Sequence, residues 1–154
     1  MTQTKDVCFV REVTIRYRGR RIAASASIRE PVEAVRFAQQ IARDDAREHF
    51  VAIYLDGRHR PIAHSLVSIG TATASLVHPR EVFQPGVLVG AVAVLILHNH
   101  PSGDPSPSRE DWEVTERLVR AGELLGIRLL DSIVWAAEGT FFSMRGERPD
   151  LFRA

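Results

Sequence analysis

Val89-Gly90-Ala91-Val92-Ala93-Val94-Leu95-Ile96-Leu97-His98-Asn99-His100 is an almost continuous apolar run until its last three residues. A run of Val, Leu and Ile without polar alternation suits a strand buried on both faces of a sheet. The loop Pro101-Ser102-Gly103-Asp104-Pro105-Ser106-Pro107 follows, and then a helix is expected from about Pro107 to Leu125. Trp112, Thr115, Leu118, Val119 and Leu125 give that helix an apolar face, and Gly126 suits its C-terminal end.

Downstream, Ile127 to Trp135 and Thr140 to Met144 read as closing strands around Glu138-Gly139, with a polar, loosely held tail from Arg145. Upstream, Phe50 to Leu55 is β-rich and ends at the turn signal Asp56-Gly57, so Pro61 to Ile69 is its expected antiparallel partner. A short strand is expected around Ala74 to Val77, and a helix from Pro79 that Pro85-Gly86 should kink or end early. Ser27 to Pro31 looks like a helix start, with apolar spacing running to about Arg43. Val7 to Tyr17 and Ile22 to Ala26 read as a hairpin turning at Gly19. The whole pattern is α+β, a mixed sheet flanked by helices.

Composition narrows the class. The 154 residues suit one domain, and 45% hydrophobic with 25% charged residues is ordinary for a globular protein. Cys8 is the single cysteine, so no internal disulfide can form. With no apolar leader at Met1 to Val7 and no span long enough for a bilayer, a cytoplasmic location and no membrane partner are expected. A net charge of +1 does not call for an anionic partner. The local exception is Arg16-Tyr17-Arg18-Gly19-Arg20-Arg21, which reads as a solvated turn or, alternatively, as a nucleic-acid contact.

The chemistry lies where the apolar strand ends. Residues two apart on a strand share a face, so His98 and His100 can present two imidazoles to one ion while Asn99 points away. Asp111, early on the next helix, can complete a His, His, Asp set. Zinc takes such ligands and keeps a fourth position for water in catalytic sites. A structural reading competes, because Ser108-x-x-Asp111 also resembles a helix capping box. The contiguous string His-Asn-His is not evidence for an HNH nuclease, whose named residues are spread over a larger motif.

His98-x-His100, seven residues, Ser108, two residues and Asp111 resemble the JAMM pattern of JAB/MPN-domain metalloproteases. The longer string His98 to Asp111, with Arg47-Glu48-His49-Phe50, Gly70-Thr71 and His78-Pro79-Arg80-Glu81-Val82-Phe83, resembles the bacterial RadC family from about residue 30 to residue 144. The resemblance implies a cytidine-deaminase-like JAB/MPN fold and one zinc per chain held by His98, His100 and Asp111. It also implies Glu48 as general base and Ser108 as an oxyanion donor. Glu48 sits in the charged stretch Arg43 to Glu48, where nothing local marks it out. The chain then divides into a β-rich lead at 1–29, the JAB/MPN domain at 30–144 and a tail at 145–154.

Three departures from the family accompany the match. RadC proteins usually carry an N-terminal helix-hairpin-helix region, and residues 1–29 do not read as one. Asp131-Ser132-Ile133 stands where the family often has Asp-His-Ile, and Pro85-Gly86 interrupts a helix that is usually continuous. The expected function is hydrolysis of a peptide or isopeptide amide, with a protein or peptide substrate. The alternative is a non-catalytic module that binds DNA or a DNA-repair or mobile-element protein. Zinc-dependent phosphodiester hydrolysis ranks last, because two His and one Asp suit a single zinc better than a two-metal site. Apolar strand edges leave room for a homodimer.

Overall fold

A computed structural model of the chain describes residues 13–14, 16–22, 26–44, 46–70 and 77–153. Its centre is one mixed five-stranded sheet. The strands are β1 (Glu48–Leu55), β2 (Pro61–Gly70), β3 (Ala93–Asn99), β4 (Arg128–Trp135) and β5 (Phe141–Ser143). They lie in the order β2-β1-β3-β4-β5. β3 and β4 run parallel and the other neighbours antiparallel. The parallel pair needs a crossover, supplied by the helix α3 (Arg109–Leu125). The other helices are α1 (Pro31–Gln39), α2 (Pro79–Leu88) and the short α4 (Met144–Glu147).

β3 is the strand that the apolar run anticipates, buried at every position. Its residues alternate between two cores. Val94 and Ile96 join Phe50, Ala52 and Tyr54 of β1 against α2 and α3. Ala93, Leu95 and Leu97 join Val51, Ile53 and Leu55 against α1, through Ala34, Val35, Phe37 and Ala38. This helix–sheet–helix layering is the α+β JAB/MPN arrangement. The Asp56-Gly57 turn and the β1–β2 pairing also stand as expected.

Several expectations are corrected. α2 runs through Pro85 to Leu88 instead of breaking. Pro85 removes one helix hydrogen bond, but Gly86 lets the helix press onto Tyr54, whose ring carbons lie 3.2 Å from where a β-carbon would sit. Burial on that core holds the turn together. α2 ends where Gly90 takes φ +67°. There its amide donates to Val87 O and the Ala91 amide to Gly86 O. On α3, Leu125 is 51% exposed, and Val114 and Gly122 are buried instead. α1 stops at Gln39, short of Arg43.

The segment after β5 is packed, not loose. Met144 and Phe152 are buried in the core on the α3 side, and Arg128 donates to Phe152 O at 3.1 Å. Most of the expected N-terminal hairpin and of the Ala74–Val77 strand lies outside the described residues. Residues 13–14 and 16–22 are irregular in conformation, and Val77 is not in a strand. No helix among the described residues is long and apolar enough to cross a membrane.

Candidate metal centre

The alternation that divides the cores also aims the polar residues at the end of the sheet. His98 continues the Val94, Ile96 series and so faces the α2–α3 side, where it is 2% exposed. Phe50, its register partner on β1, stacks on it with ring centroids 5.9 Å apart. Glu48, two residues before Phe50, points to the same side. His100 follows the strand end, where its amide donates to Trp135 O at 2.9 Å. The loop then turns the chain so that α3 starts over this edge.

Asp111 comes from the first turn of α3. Ser108 is the N-cap: its Oγ accepts from the Asp111 amide at 3.1 Å, and its own amide donates to Asp111 Oδ2 at 2.7 Å. The capping box read in the sequence is therefore real. The same carboxylate also reaches the histidines. Asp111 Oδ1 is 3.1 Å from His98 Nε2, and Oδ2 is 3.5 Å from His100 Nε2. The two Nε2 atoms are 3.1 Å apart. Donor atoms of Glu48, His98 and His100 lie within 4.8 Å of one another, close enough to hold a metal ion.

The donor set suits a cation. His100 Nδ1 lies 2.9 Å from Asp104 O, a carbonyl that can only accept, so Nδ1 carries the proton. In the neutral ring Nε2 is then a lone pair aimed at His98 and Asp111. Lone pairs and carboxylate oxygens converging at such distances need a proton or a metal between them. Zinc, with its preference for imidazole and carboxylate, fits this set.

The electrostatics agree with that reading. Burial pushes the Asp111 carboxyl up, but His100, His98 and the Ser108 amide more than offset it, holding it well below the ordinary carboxylate range. The hydrogen bond to Asp111 raises His100 above an ordinary histidine, against the effect of burial. Burial raises Glu48 above its ordinary value, the histidines beside it oppose the shift, and Asp111 adds to it. A carboxyl whose affinity for protons is raised beside two histidines has the character of a proton acceptor.

All five residues singled out in the sequence therefore gather at one edge. Ser108 is engaged as a cap through its oxygen, and its hydroxyl proton stays free to donate. Ser132 stands apart from the histidines: it pairs with Ile96 deeper in the sheet and accepts from Thr115 Oγ1 at 3.0 Å. Two residues of this region, Asn99 and His49, are given no role by the sequence. Both are buried polar side chains at strand ends, and a buried polar group must find a partner. That requirement was the one available signal.

Comparison with known proteins places these observations in a family. The model of the RadC-like JAB domain matches residues 28–149. A UPF0758 protein of Trichlorobacter lovleyi is 45% identical over 128 residues, covering 83% of this chain and 55% of that protein. One from Syntrophotalea carbinolica is 55% identical over 97 residues, 63% of this chain and 43% of its own length. One from Desulforamulus reducens is 39% identical over 155 residues, 96% of this chain and 68% of its own. The chain thus spans about half the length of the first two relatives. The chain belongs to the RadC-like JAB domain family.

Proposed function

We propose that this chain is a zinc-dependent hydrolase of peptide or isopeptide amides. One observation carries the reading: two imidazole Nε2 atoms and the Asp111 carboxylate converge within 3.5 Å, with the Glu48 carboxyl beside them. His98, His100 and Asp111 would hold the ion. A zinc ion supplies Lewis acidity, lowering the pKa of water to about 7 and polarising a carbonyl.

The chain's own residues do the rest. Glu48 accepts the proton of the attacking water and delivers it to the leaving amine nitrogen, a contribution of about 10²–10⁴-fold. Ser108 donates its hydroxyl to the oxygen of the former carbonyl as charge builds there. Asp104 O keeps the proton on His100 Nδ1, so that Nε2 remains a ligand. The Phe50 ring against His98 keeps that edge apolar and fixes the imidazole plane.

The test is Glu48→Gln, assayed on internally quenched peptides with metal content measured in parallel. Zinc should stay near one per chain while turnover falls by about 10²–10⁴-fold. Loss of zinc together with activity would make Glu48 a ligand instead of a base. The second reading, a nucleic-acid-binding module, rests on the exposed Arg16, Arg18, Arg20 and Arg21. It requires salt-sensitive binding that Glu48→Gln leaves untouched.

A further inference from the structure

The sheet carries a second polar cluster at the same end, on the side opposite the histidines. Asn99 lies between His98 and His100, so alternation turns it toward α1, where it is 3% exposed. Its carboxamide reaches across to β1. Asn99 Oδ1 accepts from the His49 amide at 2.7 Å, and Nδ2 donates to Arg47 O at 2.8 Å. These are the backbone groups on either side of Glu48. His49, 4% exposed, turns Nδ1 to the same Arg47 carbonyl at 2.9 Å.

The β1–β3 register ends at the Phe50–His98 pair. Beyond it the His100 amide turns to β4 and bonds Trp135 O. The Glu48 end of β1 thus has no ladder partner on the β3 side, and the Asn99 side chain takes the ladder's place. We infer that Asn99 is a positioning residue that clamps the backbone on both sides of Glu48 and so holds that carboxyl beside His98 and His100. The carboxamide offers one acceptor and one donor to this pair of backbone groups, whereas an ionised aspartate lacks the donor and an aliphatic side chain lacks both. The clamp itself rests on hydrogen bonds; its value for catalysis rests on the hydrolase reading above.

A residue that merely fills space would, when replaced, move melting temperature, zinc affinity and KM together. A positioning residue moves kcat alone. The experiment compares zinc-loaded wild type, Asn99→Ala and Asn99→Asp on internally quenched peptides. It also measures hydrogen exchange at the His49 amide without substrate. Both variants should keep one zinc and a wild-type KM, with kcat lowered by about 10–100-fold. His49 exchange should quicken by about tenfold or more in Asn99→Ala and stay slow in Asn99→Asp, which keeps the acceptor. Should Asn99→Ala fail to fold, the isosteric Asn99→Asp carries the kinetic test. A kcat within about twofold of wild type, or a loss of zinc that accounts for the lost kcat, overturns the positioning role. If wild type cleaves no peptide, the hydrolase reading fails and exchange alone decides. Faster His49 exchange in Asn99→Ala then still upholds the clamp, and unchanged exchange overturns it.

Discussion

Asp111 shows how one carboxylate answers two demands. Oδ2 caps α3 through the Ser108 amide, while Oδ1 faces His98. The cap is present and leaves room for the proposed metal role, since a carboxylate has more acceptor positions than either use consumes. The coupling has a pH signature. Because Asp111 raises His100, the metal-free pair contributes stability that is complete below the ordinary histidine value of about 6.5 and is lost as pH rises through the raised value. Asp111 is depressed, so its contribution is present above the ordinary carboxylate value and is lost as pH falls through the depressed one. Zinc bound as proposed would compete with the proton on His100 Nε2. Its affinity should fall by about tenfold per pH unit below the raised histidine value. Competition titration with a chromophoric chelator from pH 8 to pH 5.5 checks this, and a flat profile would remove His100 from the ligand set. Of the site residues, the histidines were legible from spacing alone. Glu48 was not, because its approach to them depends on how β1 lies against β3, which no local pattern encodes.

At the scale of elements, α3 couples the site to the core. Asp111 lies in its first turn, and Gly122, near its far end, lies against the backbone of Ile127, in the link to β4. A β-carbon on Gly122 would stand 2.5 Å from Ile127 O. Ile127 cannot retreat easily, since its amide donates back to Gly122 O at 3.0 Å. Overpacking costs about 1–3 kcal/mol and more against backbone, which outweighs the ~1 kcal/mol that alanine gains over glycine in a helix. Gly122→Ala should therefore lower the urea midpoint with little change in slope. The site is about 16 Å away along the helix, so zinc stoichiometry should not change. Hydrophobic period and turn chemistry made α3, β3 and the β1–β2 hairpin readable. They misjudged α2, because Pro85 is tolerated through a close approach of Gly86 to Tyr54, a contact between segments about thirty residues apart.

Two apolar cores on opposite faces of the sheet join β1 and β3 to α3 on one side and α1 on the other through side-chain packing. Metal binding should therefore add stability to a protein that folds anyway. At a free zinc concentration about 100-fold above Kd the gain is about 2.7 kcal/mol, which corresponds to roughly 5–10 °C in Tm for a chain of this size. Scanning calorimetry with zinc and with a chelator should give two cooperative transitions separated by about that interval. A chelated protein with no transition would mean that the ion is needed for folding.

The class of fold, the central strand, the crossover helix and a segment able to offer two imidazoles and a carboxylate are all readable from the order of residues. Each of these follows from local rules: apolar continuity, the twofold period of a strand, and a cap that starts a helix. The place of Glu48 beside those imidazoles, the Asn99 hydrogen bonds to the backbone around it, and the packing of the segment after β5 through Met144 and Phe152 emerge only in the folded chain. These depend on register and on contacts between distant segments, which are settled by burial and by the need of every buried polar group for a partner.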